Sequence, residues 1–292
     1  MTRLLVTGAN GQLGRALTRR APDAASFDRA SLDVSDTAAV AAAFERVRPD
    51  VVVHAAAWTD VDGAETHEGA ARAVNVDGTR AVAAAAARVD ALLVYVSSDY
   101  VFSGDATRPY REDDPTGPLS AYGRSKLDGE REAAAARHLI VRTSWVYGDG
   151  RNFVRSILAA AATTSELTVV DDQVGRPTHA GDLAGGLLAL AGAGATGTFH
   201  LTGDGDPCSW ADFAEAVVAE GVAHGALARA AAVRRIGTDE YLAGRAGTVA
   251  PRPRYSVLDC SRATAAGVTL RPWREALTAY VRATVSPEVE VG

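Results

Sequence analysis

Short apolar runs alternate with longer stretches of helical texture through the first half of the chain. Arg3 to Val6, the weaker Ala25 to Phe27, Asp50 to His54, Ala91 to Val96 and His138 to Arg142 each read as a strand. Brief, nearly continuous apolar runs between polar turns are the pattern of strands buried on both faces. Helical spacing takes over after Gly14, from Thr37 to Val47, from Val61 onward, through Asn75 to about Arg88, and from about Ala121 to Ala136. Asp36 stands where its carboxylate can cap the second of these helices. Asp33-Val34 falls where one further strand would end. The alternation predicts an α/β fold, a doubly wound parallel sheet with helices on both faces.

After Tyr147 the texture becomes irregular. Asn152-Phe153-Val154 opens a helix, Leu167 to Val170 a strand, and Asp171 to Thr178 is a loop. Ser209-Trp210-Ala211-Asp212 has the form of a capped helix start. Leu183 to Gly203 carries no Asp, Glu, Lys or Arg. Its Gly and Ala content, with His200 and Thr202, reads as a buried helix, a glycine-rich stop at residues 192–197 and a strand from Thr198 to Thr202, not as a membrane span. Pro251 to Ser256 is a basic, proline-fixed loop. The expected division is a sheet domain over residues 1–150 and a smaller C-terminal lobe over 151–292. No linker separates them, so the lobes are expected to interleave, with later segments returning to the first.

Composition narrows the class. The 292 residues suffice for one large domain or two modest ones. Net charge −6 and a pI of about 5.6 argue against a general binder of nucleic acid or membrane surface. Cys208 and Cys260 lie outside any Cys-x-x-Cys or Cys/His cluster, as expected of reduced thiols in a cytosolic protein. The chain enters a strand at once, so no signal peptide is expected, and the expected location is the cytoplasm.

The candidate chemistry sits at strand ends. Thr7-Gly8-Ala9-Asn10-Gly11-Gln12-Leu13-Gly14 is a glycine-rich loop between a strand and a helix. Glycine lets backbone approach a pyrophosphate, and the helix start presents amides and a positive dipole end. Gly8, Asn10, Gly11, Gln12, Leu13 and Gly14 are therefore candidate cofactor contacts, and the sheet is expected to be Rossmann-like. Asp28, twenty residues after Gly8, is placed to accept from the adenosine ribose hydroxyls. Arg29 can instead pair with a ribose 2′-phosphate, so NADPH and NADH stay open, Asp28 leaning to NADH. Asp33 and Val34 would lie near the adenine. Ala55, Ala56, Ala57, Trp58 and Thr59 follow a strand, where small residues let a nucleotide lie against backbone. Asn75 reads either as a bridge in a proton relay or as a structural amide. His54 reads as a satisfied strand-end histidine.

Tyr122 and Lys126 are four residues apart, which on a helix puts them on one face about one turn apart. A fixed positive charge beside a phenol favours the phenolate and lowers its pKa. A phenol so placed can hand over a proton. Ser98 ends a strand 24 residues earlier, where its hydroxyl can donate to a carbonyl oxygen beside the phenol. Ser98, Tyr122 and Lys126 are the candidate catalytic residues.

Over nearly its whole length the chain resembles the extended short-chain dehydrogenase/reductases. Thr7 to Gly14 and Tyr122/Lys126 carry the general likeness. The specific part is Ala55-Ala56-Ala57-Trp58-Thr59 with Val61, Asp62, Ala64 and Glu65, then Ser98 to Phe102 and Arg142 to Gly148. Asn152-Phe153 and Asp172, Gln173, Gly175, Pro177 and Thr178 complete it. The resemblance implies that Tyr122 is the proton donor and that Lys126 holds the nicotinamide ribose and lowers the phenol's pKa. Ser98 stands where the family usually has Thr. Ser98, Asp99 and Trp145 fall at sugar-contacting positions, and Tyr100, Asn152, Gln173 and Arg252 are further substrate candidates. Gly11, Gln12, Leu13, Asp28, Asp33, Val34, Ala57, Trp58 and Thr59 fall at cofactor positions.

The reaction implied is hydride transfer from NADPH or NADH to the C4 ketone of a dTDP-4-keto-6-deoxy-L-sugar, with dTDP-4-dehydro-L-rhamnose to dTDP-L-rhamnose as the specific case. His54 stands where the family usually has Asn, and Trp58 where a smaller ring is common. Arg15 stands where some members carry a glutamate of a magnesium-bridged dimer, so no metal is expected, and the expected state is a monomer or weak homodimer. A nucleotide-sugar epimerase is the nearest competing reading. A dehydratase is disfavoured, because Ser98 is followed by Asp99-Tyr100 and not by an Asp-Glu pair. A non-catalytic regulatory subunit of the same fold is the other competitor, and the intact Ser98, Tyr122 and Lys126 count against it.

Overall fold

The apolar runs become one parallel sheet in the computed structural model, which describes residues 2–245 and 247–285. Residues 286–292 of the expected second lobe lie outside the described residues. The first part of the chain forms β1 (Leu4–Thr7), α1 (Gln12–Arg20), β2 (Ala25–Phe27), α2 (Thr37–Val47), β3 (Val51–His54), α3 (Val61–Thr66) and α4 (Glu68–Arg72). A π-helical turn, Ala73–Gly78, leads into α5 (Thr79–Arg88), β4 (Leu92–Ser98), α6 (Ala121–Ala133) and β5 (His138–Thr143). Then follow β6 (Val146–Tyr147), α7 (Phe153–Thr163), β7 (Glu166–Val170), β8 (Val174–Gly175), β9 (Thr178–His179), α8 (Ala180–Gly192) and β10 (Gly197–His200). The chain closes with β11 (Cys208–Ser209), α9 (Trp210–Ala223), β12 (Ala232–Ile236), α10 (Thr238–Ala243), α11 (Ser261–Ala265) and α12 (Trp273–Val285).

The sheet runs β10-β5-β4-β3-β1-β2 and every pairing in it is parallel. Side chains alternate across it. Leu5, Val52, Leu93 and Ile140 pack under α2 and α5, while Val6, Val53, Val94 and Val141 pack under α1 and α8. Each such side chain contributes about 1.5–3 kcal/mol on burial, which is why the strands read as continuous apolar runs. Asp36 caps α2, accepting from Ala38 N and Ala39 N at 3.0 Å, and Ser209 and Asp212 form a reciprocal capping box on α9.

No strand follows β2 at Asp33-Val34, contrary to the sequence pattern. Asp28 accepts from Ser31 N at 2.9 Å and Asp33 from Ser35 N at 3.0 Å. These local bonds fold the segment into turns that compete with a sheet ladder. Leu32 and Val34 bury their side chains in the core instead.

From β1 the chain moves outward to β2, then crosses back to β3 on the other side. The strand order therefore reverses between β1 and β3, and in open parallel sheets ligands bind beyond the strand ends at such a reversal. A second core gathers Phe213, Trp273 and Tyr280 among α7, α9 and α12. Its strands form three two-stranded ladders, β11 with β8, β12 with β7 and β6 with β9. Among the described residues no helix is long and apolar enough to cross a membrane.

Candidate active site

The loops after β1 and β3 and the last residues of β4 and β5 border one cavity of about 1350 Å³. The β1 side is made of backbone. Gly8 has φ +73°, and a Cβ there would stand 2.6 Å from Ala56 N. A Cβ at Gly14 would stand 2.1 Å from Gly8 O. Only glycine lets the two loops and α1 close on each other this tightly. Gly11 places no side-chain cap on α1, so the first amides of that helix have no intrahelical acceptor. Gln12 Oε1 is buried without a hydrogen-bond partner. Free amides and a positive dipole end fit the diphosphate of a dinucleotide.

The other sequence-predicted cofactor residues line the same wall. Asn10, Gly11, Leu13, Asp28, Arg29, Asp33, Val34 and Ala55 through Thr59 all face the cavity. Asp28 is already oriented: Ser31 N and Ser31 Oγ donate to Oδ1 at 2.9 and 2.7 Å, and the Asn10 amide donates to Oδ2. The Ser31 bonds hold its carboxyl below the usual range, so it presents a charged acceptor.

The opposite wall carries the candidate catalytic residues. Ser98 is the last residue of β4, and Tyr122 is the second of α6. Two acceptors fix the start of that helix: Ser120 Oγ takes the Gly123 amide at 3.1 Å, and Glu65 takes the Ala121 amide at 2.7 Å. One turn on, Lys126 Nζ donates to Val96 O at 2.7 Å and lies 4.2 Å from the centroid of the Tyr95 ring. Ser98, Tyr122 and Lys126 all border the cavity, with Tyr100 set edge-on to Tyr122 at 5.5 Å.

The electrostatics differ from the sequence expectation. Burial pushes the Tyr122 phenol up to about 12; the Ser98 hydroxyl pulls it back and the Asp99 charge adds to the rise. Burial drives Lys126 down to about 7, partly opposed by Glu130 one turn along the helix. Loss of hydration penalises both charged forms, and the ammonium spends a hydrogen bond on Val96 and not on the phenol. The phenol is thus not acidified: it keeps its proton at neutral pH, as a proton donor must.

The model of one protein family, described as the RmlD substrate binding domain, matches residues 1–286. The chain belongs to that family. It is 44% identical over 295 residues to the dTDP-4-dehydrorhamnose reductase of Streptomyces griseus, covering 94% of this chain and 92% of that one. It is 42% identical over 294 residues to a protein of Streptomyces antibioticus named probable dTDP-4,6-dihydroxy-2-methyloxan-3-one 4-ketoreductase, covering 94% and 93%. The crystal structure of the dTDP-4-dehydrorhamnose reductase of Bacillus anthracis in complex with NADP superposes with TM-score 0.88 at 34% identity, covering 96% of this chain and 98% of that one.

Within this family member three sequence candidates spend their side chains on bonds inside the protein. Asn75 does not line the cavity. It is buried in the π-helical turn, accepting from Trp58 N at 2.8 Å and donating to Trp58 O at 3.2 Å and Ser125 Oγ at 2.9 Å. Those bonds make it a structural bracket behind the Trp58 wall. Gln173 is also away from the cavity, its amide donating to Thr238 Oγ1 at 3.0 Å. Asn152 does reach the cavity, but its carbonyl caps α7 through Arg155 N at 3.0 Å and its amide donates to Gly148 O and Tyr280 Oη. A short polar side chain beside irregular backbone is drawn first to local amides and carbonyls.

Asp99, Trp145 and Arg252 do border the cavity. Arg252 pairs with Asp62 at 2.9 Å and donates to Ala250 O at 2.8 Å. Trp145 has φ +47° and stacks on Trp210, ring centroids 3.7 Å apart. Sequence reasoning missed Trp210, Phe153 and Thr143, which also line the cavity. Thr143 Oγ1 is buried without a partner, and Thr143 is the register partner of Ser98 in the adjacent strand. The signal existed: a hydroxyl closing the neighbouring strand, as Ser98 closes its own. Among the described residues no group of His, Cys, Asp and Glu is arranged to hold a metal ion.

Proposed function

We propose that this chain reduces the C4 ketone of dTDP-4-dehydro-β-L-rhamnose to dTDP-L-rhamnose with NADPH or NADH, in the cytoplasm. One observation carries the reading: Ser98, Tyr122 and Lys126 meet at the strand ends beside a glycine-built nucleotide cradle, in a chain whose relatives bear the reductase name. The reduced nicotinamide, when bound, supplies the hydride. Tyr122 gives its proton to the oxygen as alkoxide character develops. With a pKa near 12 the phenol is a weaker base, once ionised, than a sugar alkoxide, so the transfer runs downhill. Lys126, one turn away, stabilises the phenolate left behind. Ser98 is the second polar contact for the oxygen. Such positioned donors typically contribute 10²–10⁴-fold each.

The sugar is held across the cavity from the glycine loop. Trp145, Phe153, Trp210 and Arg252 support this, and three of the four come from residues 151–292. The return of α8 and β10 to the sheet supports an interleaved division near residue 150. The exposed large apolar side chains of the described residues, Leu119, Val222 and Leu242, come from separate segments, which supports a monomer or weak homodimer.

The test supplies dTDP-4-keto-L-rhamnose with NADPH and with NADH and follows loss of the reduced nicotinamide absorbance. Turnover with either reductant is expected. No oxidation with any dTDP-keto-sugar would remove the reading. A second reading, reduction of another dTDP-4-keto-6-deoxysugar, is favoured by the Streptomyces antibioticus relative. It predicts turnover of that sugar in preference. An epimerase would retain its NAD and consume no external reductant in the same assay.

A further inference from the structure

Beneath the catalytic groups lies a second layer of hydrogen bonds, and a distant part of the chain supplies it. Asp99 is 1% exposed and Ser256 2%. Both carboxylate oxygens of Asp99 are engaged. Oδ1 accepts from Ser98 Oγ at 2.9 Å and Oδ2 from Ser256 Oγ at 2.6 Å. Ser256 lies 157 residues further along the chain. Its backbone is strapped in place on two sides. Ser256 N donates to Val174 O at 2.8 Å, the neighbouring Tyr255 N donates to Gly104 O at 3.0 Å, and Tyr110 N donates to Val257 O at 2.8 Å.

A serine hydroxyl has one proton and two lone pairs. That of Ser98 spends its proton on Asp99 and accepts from Tyr100 N at 3.2 Å. In this arrangement Ser98 has no proton left for a ketone. To donate to substrate it must turn its proton away from Asp99, leaving a buried carboxylate oxygen without a donor, which is costly. That cost is avoided when Asp99 is protonated from the solvent proton pool, which becomes easier as pH falls. Oδ1–H then donates to Ser98 Oγ, and Ser98 donates to the ketone.

We propose that Ser256 is a positioning residue: by bonding to Asp99 it sets how readily Ser98 turns its proton from Asp99 to the substrate ketone. The proposal rests on the reductase reading above and deepens it. The Ser256 bond favours the charged carboxylate, whereas burial alone raises Asp99, which stands at about 6. The other titratable groups around Asp99 are the phenols of Tyr100 and Tyr122, and beyond Tyr100 the Arg252–Asp62 pair. The working form carries neutral Asp99, so kcat/KM falls as pH rises through the Asp99 step. A separate step belongs to Lys126 on α6.

The experiment measures kcat/KM against pH for the wild type and for Ser256→Ala, Ser256→Cys and Ser256→Thr. Loss of the donor in Ser256→Ala moves the lower alkaline step upward by roughly half to one pH unit and leaves the Lys126 step in place. Ser256→Cys, a weak donor of similar size, moves it the same way and carries the test if the alanine variant does not fold. Ser256→Thr restores the wild-type profile. Superimposable profiles for wild type, Ser256→Ala and Ser256→Cys would overturn the proposal, as would a uniform loss at every pH that threonine does not rescue. Absence of turnover in the wild type would instead overturn the reductase reading itself.

Discussion

The two walls of the cavity are built in opposite ways. The glycine-loop wall is made largely of backbone from two early strand–loop–helix units, Thr7 to Gly14 and Ala55 to Thr59, and its geometry is fixed by what is missing, the Cβ atoms at Gly8 and Gly14. The facing wall is made of side chains gathered from across the chain: Ser98 and Tyr122 from the sheet region, Trp145 after β5, Trp210 from α9 and Arg252 from a late loop. In the proposed reading a cofactor common to many reactions is met largely by backbone, which tolerates little change, and a particular sugar by side chains on long-range supports, which can be exchanged one at a time.

That contrast can be broken at three points. The largest effect is expected at Tyr122. Tyr122→Phe removes the proton donor and leaves the backbone cradle intact, so kcat falls by about 10²–10⁴-fold while cofactor affinity, measured by calorimetry, stays within about 3-fold. An unchanged kcat would detach the phenol from catalysis. Gly14→Ala acts on the other wall. Its new Cβ meets Gly8 O, an overpacking cost of about 1–3 kcal/mol, or up to roughly 100-fold in cofactor affinity. Undiminished cofactor binding by this variant would mean that the close approach does not matter. Trp210→Ala is the mildest. It removes a stacked partner worth about 0.5–1.5 kcal/mol and frees the Trp145 indole, raising KM for the sugar nucleotide by about 2- to 12-fold with kcat nearly constant. A fall in kcat without a change in KM would place the indole stack in the chemistry and not in binding.

The same contrast explains what could be read from the chain. The strands of the sheet, the Asp36 cap and the α9 capping box were legible because each is written in a run of a few residues. So was the Tyr122–Lys126 spacing. The direction of the phenol's pKa was not, since helix spacing says nothing about the water both groups lose on burial. Asp33-Val34 read as a strand end from its place in the strand–helix alternation. Two serines bonding to Asp28 and Asp33 decide otherwise, and such local bonds leave no periodicity in the sequence. Asn75 and Gln173 carried the right residue types, but the partners that commit them, Ser125 and Thr238, lie 50 and 65 residues away. Ser256 gave no signal at all, since only the fold brings it to Asp99.

The central claim is that Ser98, Tyr122 and Lys126 act on the C4 carbonyl of a sugar nucleotide beside the nicotinamide. It is tested most directly by giving the enzyme dTDP-4-keto-L-rhamnose with a reductant deuterated at the transferring carbon and locating the label in the product by NMR. The account predicts one deuterium on C4 of the deoxysugar, formed in step with oxidation of the reductant and slowed at least 100-fold in Tyr122→Phe. Label at any other carbon, or a Tyr122→Phe variant that deposits it at the wild-type rate, would contradict it.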